Sequence, residues 1–165
     1  MKLSLIVPCY NEQDNIFPFF EETANAFKEL PKEIKSLEMI FVNDGSNDLT
    51  SQKLKELYSS YPTLVTVVEF SRNFGKEAAM LAGLRHAQGD FITIIDADLQ
   101  QRPEIVVNMV KHLLENEDCD MVAAYQSERI EGKTYSLHAK YMEFPHPITE
   151  KTVNFHARAN VISPT

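Results

Sequence analysis

Short apolar stretches alternate with longer amphipathic ones along residues 1–125. The short stretches are rich in Val, Ile and Phe, which favours β-strands, and the longer ones repeat apolar residues at helical spacing. Strands that alternate with helices in this way are typical of βαβ units. The sequence therefore predicts an α/β fold with a doubly wound, mostly parallel sheet. The predicted strands are Leu3–Val7, Glu38–Val42, Leu64–Phe70, Phe91–Ile95 and Met121–Tyr125.

Four helices are predicted between and after these strands. We expect Asn11 to cap the first helix and Gly89 to follow the C-terminus of the third, because these residue types favour those positions. Pro103 suits the first turn of the fourth helix. The face that the third helix is expected to bury consists of Phe74, Ala78, Leu81 and Ala82.

The fourth predicted strand, Phe91–Ile95, is apolar on both faces, which is typical of a central strand covered on both sides. It runs into Asp96 and Asp98. In an extended backbone residues i and i+2 point the same way, so both carboxylates are expected to project beyond the strand, where open parallel sheets bind ligands. Such a pair is a hard-oxygen site for Mg²⁺ or Mn²⁺, which would hold a diphosphate. The alternative is an ordinary polar turn.

Polar residues also follow the other predicted strands, and the sheet is expected to bring them to the same edge. Some have a purely structural alternative: Tyr10 could serve simple packing, Asp44 could cap its own turn, and Lys76 could be a solvated helix charge. The residues after the third strand suit a phosphate or the edge of a base. The residues concerned are Tyr10, Glu12, Asp44, Arg72, Asn73 and Lys76.

Three common motifs are absent from the sequence: Gly-x-Gly-x-x-Gly, the Gly-Lys-Ser/Thr P-loop and Gly-x-Ser-x-Gly. Their absence disfavours a dinucleotide oxidoreductase, a P-loop enzyme and a serine hydrolase. An acidic sheet edge without a glycine-rich cradle must bind phosphates in another way. A divalent cation on Asp96 and Asp98 is the simplest solution.

The charge balance narrows the class of partner. The 165 residues include 16 Lys and Arg against 24 Asp and Glu, a net charge of −8, which disfavours nucleic-acid binding.

Cys9 and Cys119 share no metal spacing, so we expect two reduced, buried thiols, as in the cytoplasm. No apolar stretch is long enough to span a membrane. His138, His146 and His156 match no zinc spacing and are interpreted as tail histidines.

Four segments in this order carry a resemblance to a known family: Val7–Glu12, Val42–Thr50, Arg72–Lys76 and Asp96–Gln100. They resemble the family-2 inverting glycosyltransferases, which have the Rossmann-like GT-A fold of nucleotide-diphospho-sugar transferases. The Arg-Asn-x-Gly-Lys and Asp-Ala-Asp-Leu-Gln segments are similar, more narrowly, to the dolichol-phosphate mannose synthase and bactoprenol glucosyltransferase branch.

The resemblance implies a transferase that moves a hexose, with inversion, from a UDP- or GDP-sugar to an acceptor, in this branch polyprenyl phosphate. It implies a cytoplasmic protein, peripheral at the inner face of a membrane, and a homodimer is a further expectation. Asp44 would recognise the base. The nucleotide-contacting residues that the resemblance implies are Pro8, Tyr10, Glu12, Asp44, Arg72, Asn73 and Lys76.

The resemblance also implies a metal and diphosphate site. Asp96 and Asp98 match the metal-binding acids of the family, Gln100 is a third ligand in this branch, and Asp98 carries the catalytic expectation. Arg129 stands in loose register with a phosphate-binding arginine of the branch. Two other enzyme classes fit less well: a nucleotidyltransferase needs a glycine- and arginine-rich loop after the first strand, and an Asp-x-Asp phosphatase carries its acids there.

The likeness fades after Tyr125. Family members continue with an acceptor-side segment that holds a further acid as general base, but Asp120 is the last Asp of this chain. Polyprenyl phosphate is already ionised and needs a base less than a sugar hydroxyl does. We therefore predict a nucleotide-sugar-binding domain over 1–130, then an irregular tail or incomplete acceptor-side segment over 131–165. The alternative is a truncated donor-binding domain without transferase activity.

Overall fold

The structure is a computed structural model of the chain. The chain divides into two compact units, Met1–Val107 and Asn108–Thr165. The predicted domain boundary at residue 130 and the three tail histidines lie outside the described residues. The residues that the structure describes are 1–116, 118–124, 142–145, 152–155 and 159–162.

The first unit alternates strands and helices as predicted. The strands end close to the predicted positions, and a short 3₁₀ helix, Phe27–Glu29, follows the first α-helix. The elements of this unit in chain order are β1 (Lys2–Cys9), α1 (Ile16–Ala26), β2 (Ser36–Asn43), α2 (Thr50–Ser60), β3 (Val65–Glu69), α3 (Lys76–His86) and β4 (Phe91–Ile94).

The four strands form one parallel sheet in the order β3-β2-β1-β4. Cys9 at the end of β1 lies beside Asn43 at the end of β2, and Ile6 lies beside Ile94 at the end of β4. All four carboxyl ends therefore meet at one edge of the sheet. The prediction of a doubly wound α/β fold is confirmed.

Helices cover both faces of this sheet, which is the reason most positions of β1 and β2 are apolar. On one face Phe41 of β2 meets Phe19 of α1 edge to face, with ring centroids 6.2 Å apart. Neighbouring residues of a strand point to opposite faces. Ile40 and Val42 accordingly lie on the other face, in a cluster with Ala79 of α3.

The buried face of α3 differs from the prediction. Ala79 and Gly83 are buried, whereas Phe74 and Leu81 are about half exposed. Gly83 lies directly against Ile6 of β1, where an added Cβ would stand 2.3 Å from the Ile6 Cγ2 atom. Close approach of the helix to the sheet therefore selects the smallest residues, a signal that a search for large apolar side chains misses.

Gly89 does not end α3 as predicted. The helix ends at His86, and Ala87 after it is extended. The Gly89 amide instead donates a hydrogen bond to Ser4 Oγ at 2.8 Å, and an added Cβ would stand 2.7 Å from the Phe91 carbonyl oxygen. Glycine at this position allows the chain to pass close to β1 before β4 begins.

The prediction that β4 is covered on both faces is wrong. Ile92 and Ile94 are 46% and 37% exposed, and in the described part of the chain β4 pairs only with β1. These two residues lie on the α3 face of the sheet, but α3 packs over β1 and β2. An apolar composition alone did not reveal that the helix stops short of this strand.

The fourth helix, α4 (Glu104–Glu115), begins directly after Pro103, as predicted, and includes the boundary between the units. In the second unit β5 (Met121–Ala124) pairs in parallel with β8 (Ala159–Ile162). An antiparallel pair joins β6 (Met142–Pro145) to β7 (Thr152–Phe155). Within the described ranges no helix has both the length and the apolar character needed to cross a bilayer.

Candidate functional site

One cleft of about 290 Å³ lies at the carboxyl edge of the sheet. Its walls come from the ends of β1 and β2, the start of α3 and the turn after β4. The structure thus brings together most of the residues singled out from the sequence. The predicted site residues that line this cleft are Pro8, Tyr10, Glu12, Asp44, Asn73, Lys76, Asp96 and Asp98.

Three predicted site residues are placed otherwise. Arg72 stacks over Phe74, 4.7 Å from the ring centroid, and lines a neighbouring pocket that it shares with Asn73. Gln100 is exposed, and its backbone N–H, at 3.1 Å, donates to Asp98 Oδ1. Its role as a metal ligand stays a prediction. Arg129 lies outside the described residues.

The loop after β1 is held by the loop after β2 rather than by its own helix. The amide of Asn11 donates to Ser46 Oγ, and the amide of Asn47 donates to Asn11 Oδ1, both at 2.9 Å. Asn11 has φ +56°, a left-handed conformation that Asn tolerates better than most residues. The predicted helix cap at Asn11 is therefore wrong, because its side chain joins the two loops instead. The next amide, that of Glu12, donates to Thr50 Oγ1 at 2.8 Å.

Tyr10 stands at the edge of the cleft with 44% of its surface exposed. The ring is therefore not part of the core. An exposed aromatic face is suited to stacking on a planar ligand such as a nucleobase.

Asp44 is 4% exposed and ties two strand exits together. Its Oδ1 accepts a hydrogen bond from the Phe74 amide at 2.7 Å, and its Oδ2 accepts one from the Gly75 amide at 3.0 Å. Gly45 beside it has φ +65°, and a Cβ there would stand 2.2 Å from the Arg72 carbonyl carbon. Asp44 thus caps the loop before α3, not its own turn as in the structural alternative.

The two acids after β4 reach the cleft by a different backbone path from the predicted one. The strand ends at Ile94, and Ala97 and Asp98 form a turn instead of continuing the extended chain. Leu99 then has φ +60°, a strained conformation for a bulky residue. Such strain is common where surrounding structure holds a functional side chain in place. Asp96 and Asp98 nevertheless line the same cleft.

An ion pair crosses the cleft. Lys76 Nζ lies 2.7 Å from Asp96 Oδ2, with 54% and 29% of the respective side chains exposed. Lys76 is the first residue of α3 and directly follows Gly75, whose amide Asp44 binds. Lys76 is therefore a cleft residue with a carboxylate partner, and more than half of its side chain is exposed to solvent.

The donor atoms of the cleft fit a divalent cation that shares its coordination with a ligand. In the described part of the chain no group of three or more His, Cys, Asp or Glu side chains could by itself hold a metal. Mg²⁺ is commonly bound through one or two carboxylates, with waters and substrate phosphates as its other ligands. The pair Asp96 and Asp98 matches that arrangement.

Cys9 also lines the cleft, although no sequence pattern indicated it. It is 2% exposed, and its thiol donates to the Val7 carbonyl oxygen at 3.3 Å. Burial raises the pKa of Cys9 far above its usual range, and the negative charges of Glu12 and Asp96 raise it further. These effects favour the protonated thiol over the thiolate, which is the nucleophilic form.

A sequence profile of "Glycosyl transferase family 2" matches residues 4–163. The chain is 43% identical over 151 residues to the prophage bactoprenol glucosyl transferase homolog of Escherichia coli (strain K12). That match covers 85% of this chain and 47% of the relative. The chain thus spans about half the length of the curated relatives it matches.

Solved structures agree with the sequence match. The mannosyltransferase PcManGT from Pyrobaculum calidifontis, in complex with GDP-Man and Mn²⁺, is 30% identical with a TM-score of 0.58, over 75% of this chain and 35% of that one. S. aureus TarS 1-349 in complex with UDP has a TM-score of 0.59 over 86% of this chain and 40% of that one. At 24% identity the likeness to TarS concerns the fold alone. By profile, sequence identity and fold, the chain belongs to glycosyl transferase family 2 and has the GT-A architecture.

Proposed function

We propose that this chain binds a nucleotide-diphosphate sugar of the UDP-glucose or GDP-mannose type and transfers its hexose, with inversion, to polyprenyl phosphate at the cytoplasmic face of a membrane. The observation that carries the proposal is the convergence of Tyr10, Asp44, Lys76 and the two acids Asp96 and Asp98 on one cleft. They come from three strand exits and from the start of α3, and the two acids share the exit of β4. Together they supply a stacking ring, hydrogen-bonding groups, a cation and two hard-oxygen ligands.

Different residues of the cleft would bind different parts of the donor, beginning with the base. Tyr10 offers its exposed ring to the base, next to Pro8. The carboxylate of Asp44 retains lone pairs beyond those used for the Phe74 and Gly75 amides, which would accept from a base N–H. Asn73 links this end of the cleft to the adjacent pocket that Arg72 lines.

The diphosphate end is formed by Lys76, Asp96 and Asp98. The two carboxylates would hold Mg²⁺ or Mn²⁺, with Gln100 close enough in sequence to add an amide oxygen. A bound divalent cation would neutralise the diphosphate and stabilise it as the leaving group. A complex of GDP-Man and Mn²⁺ is known for PcManGT, which supports a metal-dependent donor site here.

The proposed acceptor is inferred from relatives and not from described residues of this chain. Bactoprenol glucosyl transferases at 43% identity support a polyprenyl phosphate acceptor. A phosphate acceptor is ionised at neutral pH, so its attack on the sugar does not depend on a general base as an alcohol's does. The second candidate is donor binding without transfer, since every described residue assigned above serves the donor.

Calorimetry with UDP-glucose and GDP-mannose, each with and without Mn²⁺, tests the donor site. We expect Mn²⁺-dependent binding of at least one of them, weakened about tenfold or more by Asp98→Asn, since even residues that only support a metal ligand typically cost 10- to 100-fold. Asp120→Asn, an exposed change outside the cleft, is the matched control and should bind like the parent. Equal binding by the Asp98→Asn variant contradicts the metal assignment.

A transfer assay separates the two candidate functions. Vesicles that contain polyprenyl phosphate are incubated with the chain, Mn²⁺ and the sugar nucleotide that binds. Formation of a lipid-linked sugar supports the transferase. Donor binding without lipid-linked product supports the donor-binding alternative.

A further inference from the structure

The ion pair between Lys76 and Asp96 occupies a carboxylate that the proposed function assigns to a metal. Lys76 Nζ lies 2.7 Å from Asp96 Oδ2, within charge-assisted hydrogen-bonding distance. Among the described residues no cation pairs with Asp98, whose Oδ1 accepts from the Gln100 amide at 3.1 Å. The two acids of the same turn are therefore not equivalent.

We propose that Lys76 is the counter-ion of Asp96 in the ligand-free protein and transfers its charge to the diphosphate when the donor binds, so that nucleotide and divalent cation bind cooperatively. This inference rests on the proposed donor site. It assigns Lys76 a coupling role that simple contact with the nucleotide would not give.

The position of Lys76 is fixed by its backbone while its side chain remains free to move. The two amides that precede it, those of Phe74 and Gly75, are both bound by the buried carboxylate of Asp44. Gly75 has φ +99°, which places the start of α3 at the cleft. The side chain itself is 54% exposed, which leaves room for the ammonium group to turn away from Asp96.

The charges explain why the exchange couples two ligands. In the ligand-free cleft the ammonium group neutralises Asp96 and competes with any divalent cation for its Oδ2 atom. A diphosphate offers Lys76 other anionic oxygens, and Lys commonly binds phosphate as a point charge. When Lys76 pairs with phosphate, Asp96 becomes available. Metal alone should therefore bind weakly, and nucleotide should strengthen it by the same factor by which metal strengthens nucleotide binding.

Mn²⁺ binding followed by the electron paramagnetic resonance signal of the free ion tests this coupling, and it needs no catalysis. Titrations are carried out without nucleotide and with saturating UDP or GDP. We expect Lys76→Gln to raise the affinity for Mn²⁺ alone about five- to tenfold and to reduce the strengthening by nucleotide by a similar factor, at the lower end of typical coupling energies. Lys76→Arg keeps the charge and should retain most of the coupling.

Lys53→Gln is the matched control. Lys53 also pairs with a carboxylate, 3.8 Å from Glu56, but on the exposed surface of α2. The Lys53→Gln substitution removes the same charge from the chain, so any general gain in cation affinity appears in this variant as well. We expect the gain in Mn²⁺ affinity of Lys76→Gln to be larger than that of Lys53→Gln.

The outcomes separate the inference from the function on which it rests. The coupling role is overturned if Mn²⁺ binds the parent in the presence of nucleotide but, without nucleotide, binds Lys76→Gln no more tightly than the parent. That result leaves the proposed donor site intact. Failure of Mn²⁺ to bind the parent even with saturating nucleotide overturns both. Circular dichroism of each variant confirms that an altered affinity does not reflect unfolding.

Discussion

Asp44 combines a structural role with the proposed recognition of the base. It is nearly fully buried, and each carboxylate oxygen accepts a backbone amide of the loop before α3. A buried donor that loses its acceptor costs about 1–3 kcal/mol. The same side chain thus sets the shape of the cleft at two places: its own strand exit and the segment that carries Lys76.

Replacement of Asp44 by Asn tests this structural role. The asparagine oxygen can accept one of the two amides, but its NH₂ group would face the other amide, donor against donor. We expect Asp44→Asn to lower the free energy of unfolding by about 1–3 kcal/mol, measured by urea denaturation. Asp14→Asn at an exposed position should change it by less than about 0.5 kcal/mol. Equal stability of the two variants would show that the Asp44 contacts contribute little.

Helix α3 packs against the sheet through its smallest side chains and not through its large apolar ones. Its contact with the sheet is formed by Ala79 and Gly83, while Leu81 and Leu84 are exposed. The helix lies over Ile6 of β1, a fully buried, β-branched residue whose side chain has little freedom to move. The position of α3 matters for the cleft because Lys76 is its first residue.

Gly83→Ala places two known effects in opposition. Alanine is favoured over glycine inside a helix by about 1 kcal/mol, but its Cβ would stand 2.3 Å from Ile6 Cγ2, and overpacking a core costs about 1–3 kcal/mol. We expect the packing cost to be larger, with a net loss of up to about 2 kcal/mol in urea denaturation. Arg85→Ala, exposed on the same helix, is the control. A gain of about 1 kcal/mol for Gly83→Ala would mean that α3 shifts freely.

At the scale of the whole molecule, hydrogen-bonded carboxylates make folding of the first unit sensitive to acid. Burial alone would raise the pKa of Glu38, but hydrogen bonds from Lys2, Ser4 and the Gln88 amide lower it below its ordinary 4.5. The pKa of Glu69 is lowered as well. The hydrogen bond from the Ser51 hydroxyl lowers this pKa most, burial raises it, and the charge of Lys55 lowers it further.

These lowered pKa values determine the sign of the pH dependence. A carboxyl with a lower pKa in the folded state makes the unfolded chain take up protons first as the pH falls. The stabilisation is therefore complete well above pH 4.5 and is lost progressively below it. We expect Glu38→Gln to flatten the fall in unfolding free energy between about pH 5 and 3, measured by urea denaturation across that range. Glu21→Gln, exposed on α1, should leave the profile unchanged, and an unchanged Glu38→Gln profile would contradict the assignment.

The fold was predictable because strand and helix patterns of the first unit follow local rules. The order of polar residues after the strands also predicted most of the cleft, since parallel strands deliver their carboxyl ends to one edge. What the sequence did not reveal depends on contacts between distant segments. Examples are the tie between Asn11 and Ser46, the two amides held by Asp44, and the pairing of Lys76 with Asp96.

The turn after β4 shows the same limit at the site itself. Asp96 and Asp98 line the same cleft as predicted, but the extended backbone proposed for them was wrong, because Ala97 and Asp98 form a turn and Leu99 after them is left-handed. No residue type in this segment indicates that conformation. Cys9 was missed because a small, buried, protonated thiol has no sequence pattern that distinguishes a cleft floor from a core position.

We propose that one cleft, at the carboxyl edge of the sheet, binds a sugar nucleotide through a divalent cation. A crystal structure of the chain with Mn²⁺ and a uridine or guanosine diphosphate sugar tests it most directly, because the anomalous signal of manganese locates the ion independently of the nucleotide. We predict manganese in direct contact with an Asp98 carboxylate oxygen, the diphosphate beside Lys76, and the base between Tyr10 and Asp44. Manganese and nucleotide bound elsewhere, for example in the adjacent pocket lined by Arg72, would contradict the account.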